Sequence, residues 1–399
     1  MADGGHLHTP QQALDSLFSG LLPLPCEWVA LEIAGDRVLA QTLHARHDTP
    51  PFDNSAMDGY ALRAEDSGRV LTVSQRIMAG QQAEPLAEGT CARIFTGAPL
   101  PEGADSVIMQ EEVDVRDDGV FIPAGLEAGN SVRLKGREIT TNEVLVREGV
   151  RLNSAALGFL AGQGFDQVPV YRKPRVALLF TGDELKLPGE PLAPGQIYNG
   201  NRFMLMDLLP RFGAELALIE QVPDTLEAMT QALQRASRQV DVIVTTGGVS
   251  VGDADHVRRA LESLGELDLW RLSIRPGKPL ALGHIDQCRF VGLAGNPVSS
   301  FVGAWLFLRP LLGGMQGCDD MKALPEVTAQ ADFETETAGR DHYMRVTLHR
   351  DGDGYRAHAF EDQDSSILRS CVTANALAVI RAHSKITPGD RVRCLLLIS

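Results

Sequence analysis

Six cysteines in 399 residues, at positions 26, 91, 288, 318, 371 and 394, form no Cys-x-x-Cys pair, and the ten histidines fall at no zinc-type spacing. That scarcity argues against a disulfide framework and a protein-ligated transition metal, and predicts thiols kept in a reducing compartment. Positive charge is also short. Lys and Arg number 37 against 52 Asp and Glu, a net charge of -15, which excludes a broad nucleic-acid surface and requires any anionic ligand to find a local basic pocket. No apolar run approaches the roughly 20 residues that span a bilayer. The opening "MADGGHLHTPQQ" lacks the basic and apolar regions of a signal peptide. The expectation is a soluble, cytoplasmic protein with neither membrane nor nucleic-acid partners, long enough for two to four domains.

Along the chain, Thr9-Pro10-Gln11-Gln12 predicts a capped helix carrying Ala13, Leu14, Leu17, Phe18 and Leu21. From about Asp48 to Glu148, short alternating segments between Gly, Pro and Asp turns predict a small β domain. "NSAALGFLAGQG" reads as a helix and "YRKPR" as a linker. From Val176 to about Met315, apolar strands alternate with helical patterns, which implies a parallel sheet with helices on both faces. In this stretch Asp224-Thr225-Leu226-Glu227 reads as a capping box, and Gly265 as a helix stop. From about Leu324, short strands return and suggest a second β domain.

Three polar loops, "TGDEL", "TTGGVSVGDADH" and "AGNPVSS", each follow an apolar strand. In an open parallel sheet such loops converge at the carboxyl edge, where ligands bind. Gly247 and Gly248 let a ligand approach the backbone, and Ser250 adds a hydroxyl. Arg275 and Lys278, in "RPGKP", supply the positive charge that the composition lacks. Asp253 and Asp255 either cap a helix or hold a cation beside the anion. Asp224 is either an N-cap or a site residue. Glu184 is either a site residue or a solvated turn. "PPFDNSAMDGYAL" and "IFTGAPLPEGADSVIMQEE" place Asp58 and Thr96 in the β domain, each in a polar turn.

Together, "PPFDNSAMDGYA", "IFTGAPLPEGAD", "TTGGVSVGDAD", "RPGKPLALG" and "AGNPVSS" resemble, in order and over essentially the whole chain, the molybdopterin molybdenumtransferase family, MoeA in bacteria, which is related to the C-terminal domain of gephyrin. The resemblance implies an α/β multidomain fold. An elongated N-terminal linker domain (1–48 and 141–173) is interrupted by a β domain (49–140). A three-layer α/β molybdopterin-binding domain (174–323) and a C-terminal β-barrel (324–399) follow. The implied activity inserts molybdenum from molybdate into adenylylated molybdopterin, using Mg2+ and releasing AMP. The implied assembly is a homodimer with a site shared between subunits, in possible contact with the molybdopterin adenylyltransferase and other molybdenum cofactor enzymes. The alternatives are an adenylyltransferase or a gephyrin-like scaffold.

Carried onto matching positions, the catalytic set is Asp58, Thr96, Glu184, Asp224 and Asp255, with Asp253, Asp255 and Glu184 as metal ligands. The resemblance places Gly247, Gly248, Ser250, Arg275, Lys278, Asn296, Pro297, Arg133, Glu138, Arg345, Ser365 and Ser370 in substrate binding. Among these, Ser365 competes with Ser370, because "FEDQDSSILRS" matches the family only loosely. Glu138 stands where Asp is usual, Arg275 where Lys is usual, and Ala294 where Pro is usual.

Overall fold

The computed structural model describes residues 7–248 and 256–398 and divides into two compact units. One takes Gln41–Glu148 and Ser154–Gln167; the other takes the described residues before Gln41, Gly149–Asn153 and those from Val168 onward. The first unit is built on a six-stranded sheet, ordered Ser106–Met109, Gly59–Leu62, Thr90–Ile94, Val70–Ile77, Gly119–Phe121 and Asp114–Arg116. Leu62, Leu71, Cys91 and Ile108 fill a core on one side, and Ala61, Ile77, Ala92 and Ile94 another.

The larger unit opens with helix α1 (Pro10–Phe18). Thr9 Oγ1 accepts from the Gln12 amide at 3.2 Å and Gln12 Oε1 accepts from the Thr9 amide at 2.8 Å, the reciprocal cap that the spacing predicts. Its central sheet contains β1 (Arg175–Thr181), β2 (Glu215–Val222), β3 (Val242–Thr246), β4 (Glu266–Arg271), β5 (Pro279–Ile285) and β6 (Cys288–Leu293), in the spatial order β2-β1-β3-β6-β5-β4. Strands β2, β1, β3 and β6 are parallel, as expected. The last two are not. β5 runs antiparallel to both β6 and β4, because only Asp286 and Gln287 join β5 to β6 and a parallel crossover needs a dozen residues or more.

Alternation along β1 separates two cores. Val176, Leu178 and Phe180 face α2 (Gly200–Arg211) and the long helix α5 (Pro297–Met315); Ala177 and Leu179 face α3 (Leu226–Ser237) and α4 (His256–Leu264). The result is three layers. Helix α5, with 19 residues, is long and apolar enough by length and composition to cross a membrane, but 89% of its apolar window is buried inside the protein, so it packs as a core helix.

The chain ends in a closed five-stranded barrel. Asp341–Asp351 pairs with both Gly354–Ala359 and Ala376–Ile380, and the circuit is completed through Glu326–Ala331 and Arg391–Leu396. Closure leaves no open edge among these strands.

Gly265, expected as a helix stop, is required for a different reason. A Cβ there would lie 2.0 Å from the His284 carbonyl oxygen on β5. Gly265→Ala should therefore destabilise the protein by about 1–3 kcal/mol through overpacking, measured by urea unfolding.

Candidate functional site

The three strand-end loops do converge. Thr181 at the end of β1, Thr246 to Gly248 after β3, and Ala294 to Pro297 after β6 line a cavity of about 800 Å³ within the larger unit. Glu184, Arg275, Lys278, Arg340, Gln363 and Ser365 complete the wall used below. Gly247 and Gly248 have φ of 84° and 65°, and a Cβ on Gly248 would meet Val257 Cγ2 at 2.3 Å. Only glycine makes this turn without displacement.

The cationic wall is held from two sides. Ile274 and Arg275 pair in parallel with Asp341 and His342 of the barrel, while Leu272 donates its amide to the Lys278 carbonyl at 2.8 Å. Between them Gly277 adopts a φ of 100°. The loop therefore fixes the stems of Arg275 and Lys278. Beside it, burial pushes the His342 imidazole down to about 3, with Arg275, Arg345 and Arg340 adding repulsion. His342 is neutral near pH 7 and adds no charge to the cluster.

Arg345 and Ser370 do not reach the cavity wall. Arg345 is 0% exposed; its Nε donates to Ser370 Oγ at 3.0 Å and its Nη2 to the Asp364 carbonyl at 3.0 Å, while Nη1 is a buried donor with no partner. Ser370 Oγ donates onward to the Ile367 carbonyl at 2.6 Å. Ser365 is the serine in the wall, where its Oγ accepts from Asn296 Nδ2 at 3.0 Å. Pro297 occupies the first turn of α5, where its missing N–H costs nothing.

Asp224 is not the helix cap. Thr225 takes that role, its side chain accepting from the Ala228 amide at 3.2 Å, and Asp224 Oδ1 accepts from Thr181 Oγ1 at 3.0 Å. The expected capping box is thus corrected, and the carboxylate is turned toward the end of β1. Ser250, Asp253 and Asp255 lie outside the described residues.

Asp58, Thr96, Arg133 and Glu138 belong to the other unit. Asp58 Oδ1 accepts from the Thr96 amide at 2.8 Å and the Thr96 hydroxyl at 2.9 Å. These two donors, with Arg93 nearby, hold its carboxyl below the usual aspartate range. Arg133 and Glu138 line a cavity of about 420 Å³ with Thr49, Pro50, Asn54 and Arg137.

Three family models match in sequence order: the MoeA N-terminal region (domains I and II) over residues 8–164, a probable molybdopterin binding domain over 177–314, and the MoeA C-terminal region (domain IV) over 327–397. The molybdopterin molybdenumtransferase of Haemophilus influenzae is 34% identical over 392 residues, covering 96% of this chain and 97% of that protein. The chain belongs to the MoeA family. Its Nostoc relative of the same name is 37% identical across 89% of this chain and 84% of its own length. A crystal structure of the Pyrococcus horikoshii molybdopterin biosynthesis MoeA protein superposes with a TM-score of 0.85 at 28% identity, covering 98% of this chain and all of that one. Arg275 and Ala294 both line the cavity.

Sequence reasoning missed Asn199 and Asn201, which also line the cavity; the "YNGN" run ahead of an apolar helix was the available signal.

Two outcomes follow from these contacts. Thr225→Ala should cost about 1 kcal/mol of stability by loss of the cap, and Asp224→Ala less than half of that, measured by urea unfolding. His342 binds a proton in the unfolded chain below about pH 6.5 but in the folded one only near pH 3, so its contribution is lost as pH falls through that window. Stability of His342→Gln should fall less steeply there, by at most about 1.4 kcal/mol per pH unit.

Proposed function

We propose that this chain inserts molybdenum from molybdate into adenylylated molybdopterin with release of AMP, a step of molybdenum cofactor biosynthesis. The observation that carries this reading is the wall of Arg275, Lys278 and Arg340 facing a glycine turn, in a protein of net charge -15. Molybdate is a dianion, and capture by so acidic a chain depends on a few local cations. In this proposal Arg275 and Lys278 hold molybdate, with Ser250, Ser365 and Asn296 as neutral partners. Arg345 and Ser370 support the wall from beneath. Gly247 and Gly248 let phosphate oxygens approach the backbone. Attack of water on the phosphate–phosphate link yields AMP and molybdopterin, whose two dithiolene sulfurs displace one molybdate oxygen, which leaves as water with their two protons.

Magnesium fits the donor chemistry, because it accepts one or two carboxylates and leaves its other positions to phosphate oxygens and water. Glu184, which lines the cavity wall, would be one of its ligands, with Asp253 and Asp255 proposed beside it. Bound there, it would neutralise phosphate charge. Asp224, just after β2, would act beside Thr181 at the end of β1. Asp58, Thr96, Arg133 and Glu138 would serve the site through a homodimer in which subunits share it. A cytoplasmic location, and contact with the enzyme that adenylylates molybdopterin, complete the proposal.

An adenylyltransferase reading is not favoured, since the matches extend through the flanking regions 8–164 and 327–397. A scaffold without turnover would release no AMP when molybdate is added to adenylylated molybdopterin. Lys278→Ala should raise the molybdate requirement roughly ten- to a hundred-fold, the equivalent of one charge-assisted hydrogen bond, and activity should recover at high molybdate. If instead binding of the adenylylated pterin collapses and the molybdate dependence is unchanged, Lys278 holds a pterin phosphate.

A further inference from the structure

The cavity has a second wall, distant in character from the cations, made by Tyr198, Asn199 and Asn201 at the start of α2. Asn199 is 3% exposed and caps the helix, its Oδ1 accepting from the Arg202 amide at 3.0 Å. That bond fixes the amide orientation and leaves Nδ2 a buried donor without a partner. Asn201 is committed the other way: its Nδ2 donates to the Gly295 carbonyl at 2.7 Å, and its Oδ1 is a buried acceptor without a partner. A buried polar atom left unpaired costs roughly 1–3 kcal/mol, and these two, of opposite sense and two residues apart on one cavity wall, match a ligand edge that sets an acceptor beside a donor. Beside them Tyr198 is 47% exposed, with its hydroxyl donating to the Glu190 carbonyl at 2.9 Å. Its ring is thereby held as a flat apolar face.

We infer that Asn199 Nδ2 and Asn201 Oδ1 read the edge of a flat heterocycle that stacks on Tyr198 and carries an acceptor beside a donor. This rests on the proposed substrate, both ends of which have such an edge: the adenine with N1 beside its amino group, and the pterin with its ring amide. The helix N-terminus adds a partial positive charge near the acceptor. Asn199 and Asn201 select the ring, whereas Arg275 and Lys278 hold anions.

Calorimetric titration of the full chain with AMP, ribose 5-phosphate and unsubstituted pterin tests this. Asn199→Ser keeps a capping oxygen and removes the donor; Tyr198→Ala removes the platform and leaves the cap. Each should weaken one heterocycle about ten-fold, AMP if the adenine sits here and pterin if the pterin does. Ribose 5-phosphate, which has no ring edge to read, should bind as before, and the melting temperature of Asn199→Ser should hold. Unchanged binding of both heterocycles to both variants overturns the assignment. A wild-type chain that binds neither heterocycle overturns it together with the proposed substrate.

Discussion

Leu272 donates its amide to the carbonyl of Lys278, and within the loop so closed Ile274 and Arg275 add to the barrel strand at Asp341 and His342. A surface lysine and arginine ordinarily surrender about 2 kcal/mol of rotamer freedom when held. Here the backbone pairing fixes the stems, so ligand binding has the side-chain rotamers to order but not the loop. Tyr343, Leu377, Val379 and Leu395 of the barrel share a core with the α/β sheet, and without the loop pairing the cavity beside it would lose a wall.

Another cation, Arg345, is buried behind this wall. A guanidinium removed from water costs less the more of its donors are met, and all but Nη1 of the Arg345 side-chain nitrogens have partners. Ser370 and the Asp364 carbonyl meet two of them, and Gln363 brackets the Arg345 backbone, accepting from its amide and donating to its carbonyl, each at 3.0 Å. Arg345 thus organises the segment from Gln363 to Ser370, part of which forms the cavity rim.

Sequence patterns carried the layers well, because burial on both faces leaves an unmistakable apolar run in β1 and β3. They failed where a feature depended on two distant segments. The hairpin of β5 and β6 hides behind a period that parallel strands share, and only the two-residue turn betrays it. Asp224 and Thr225 are equally good caps by residue type; what separates them is Thr181, 43 positions earlier, whose hydroxyl donates to the Asp224 carboxylate. Likewise Ser365 and Ser370 differ only in which neighbour each meets. The sequence reading passed over Asn199 and Asn201, whose unpaired halves exist only once Gly295 and α2 are in place.

Helix α5 has a consequence for how the protein is made. Its end packs on α1 so closely that a Cβ on Gly314 would meet Leu21 Cδ2 at 2.7 Å, and Leu24 donates its amide to the Met315 carbonyl at 2.7 Å. These partners are about 300 residues apart. At about 5–20 residues per second, a ribosome would need roughly 15–60 s to bring the second after the first. Through that interval part of the apolar face of α1 would stay uncovered, and the segment that covers it is a helix apolar enough for a membrane. The nascent chain would therefore be most vulnerable to chaperones, or to straying onto a lipid surface, just before the α/β core closes.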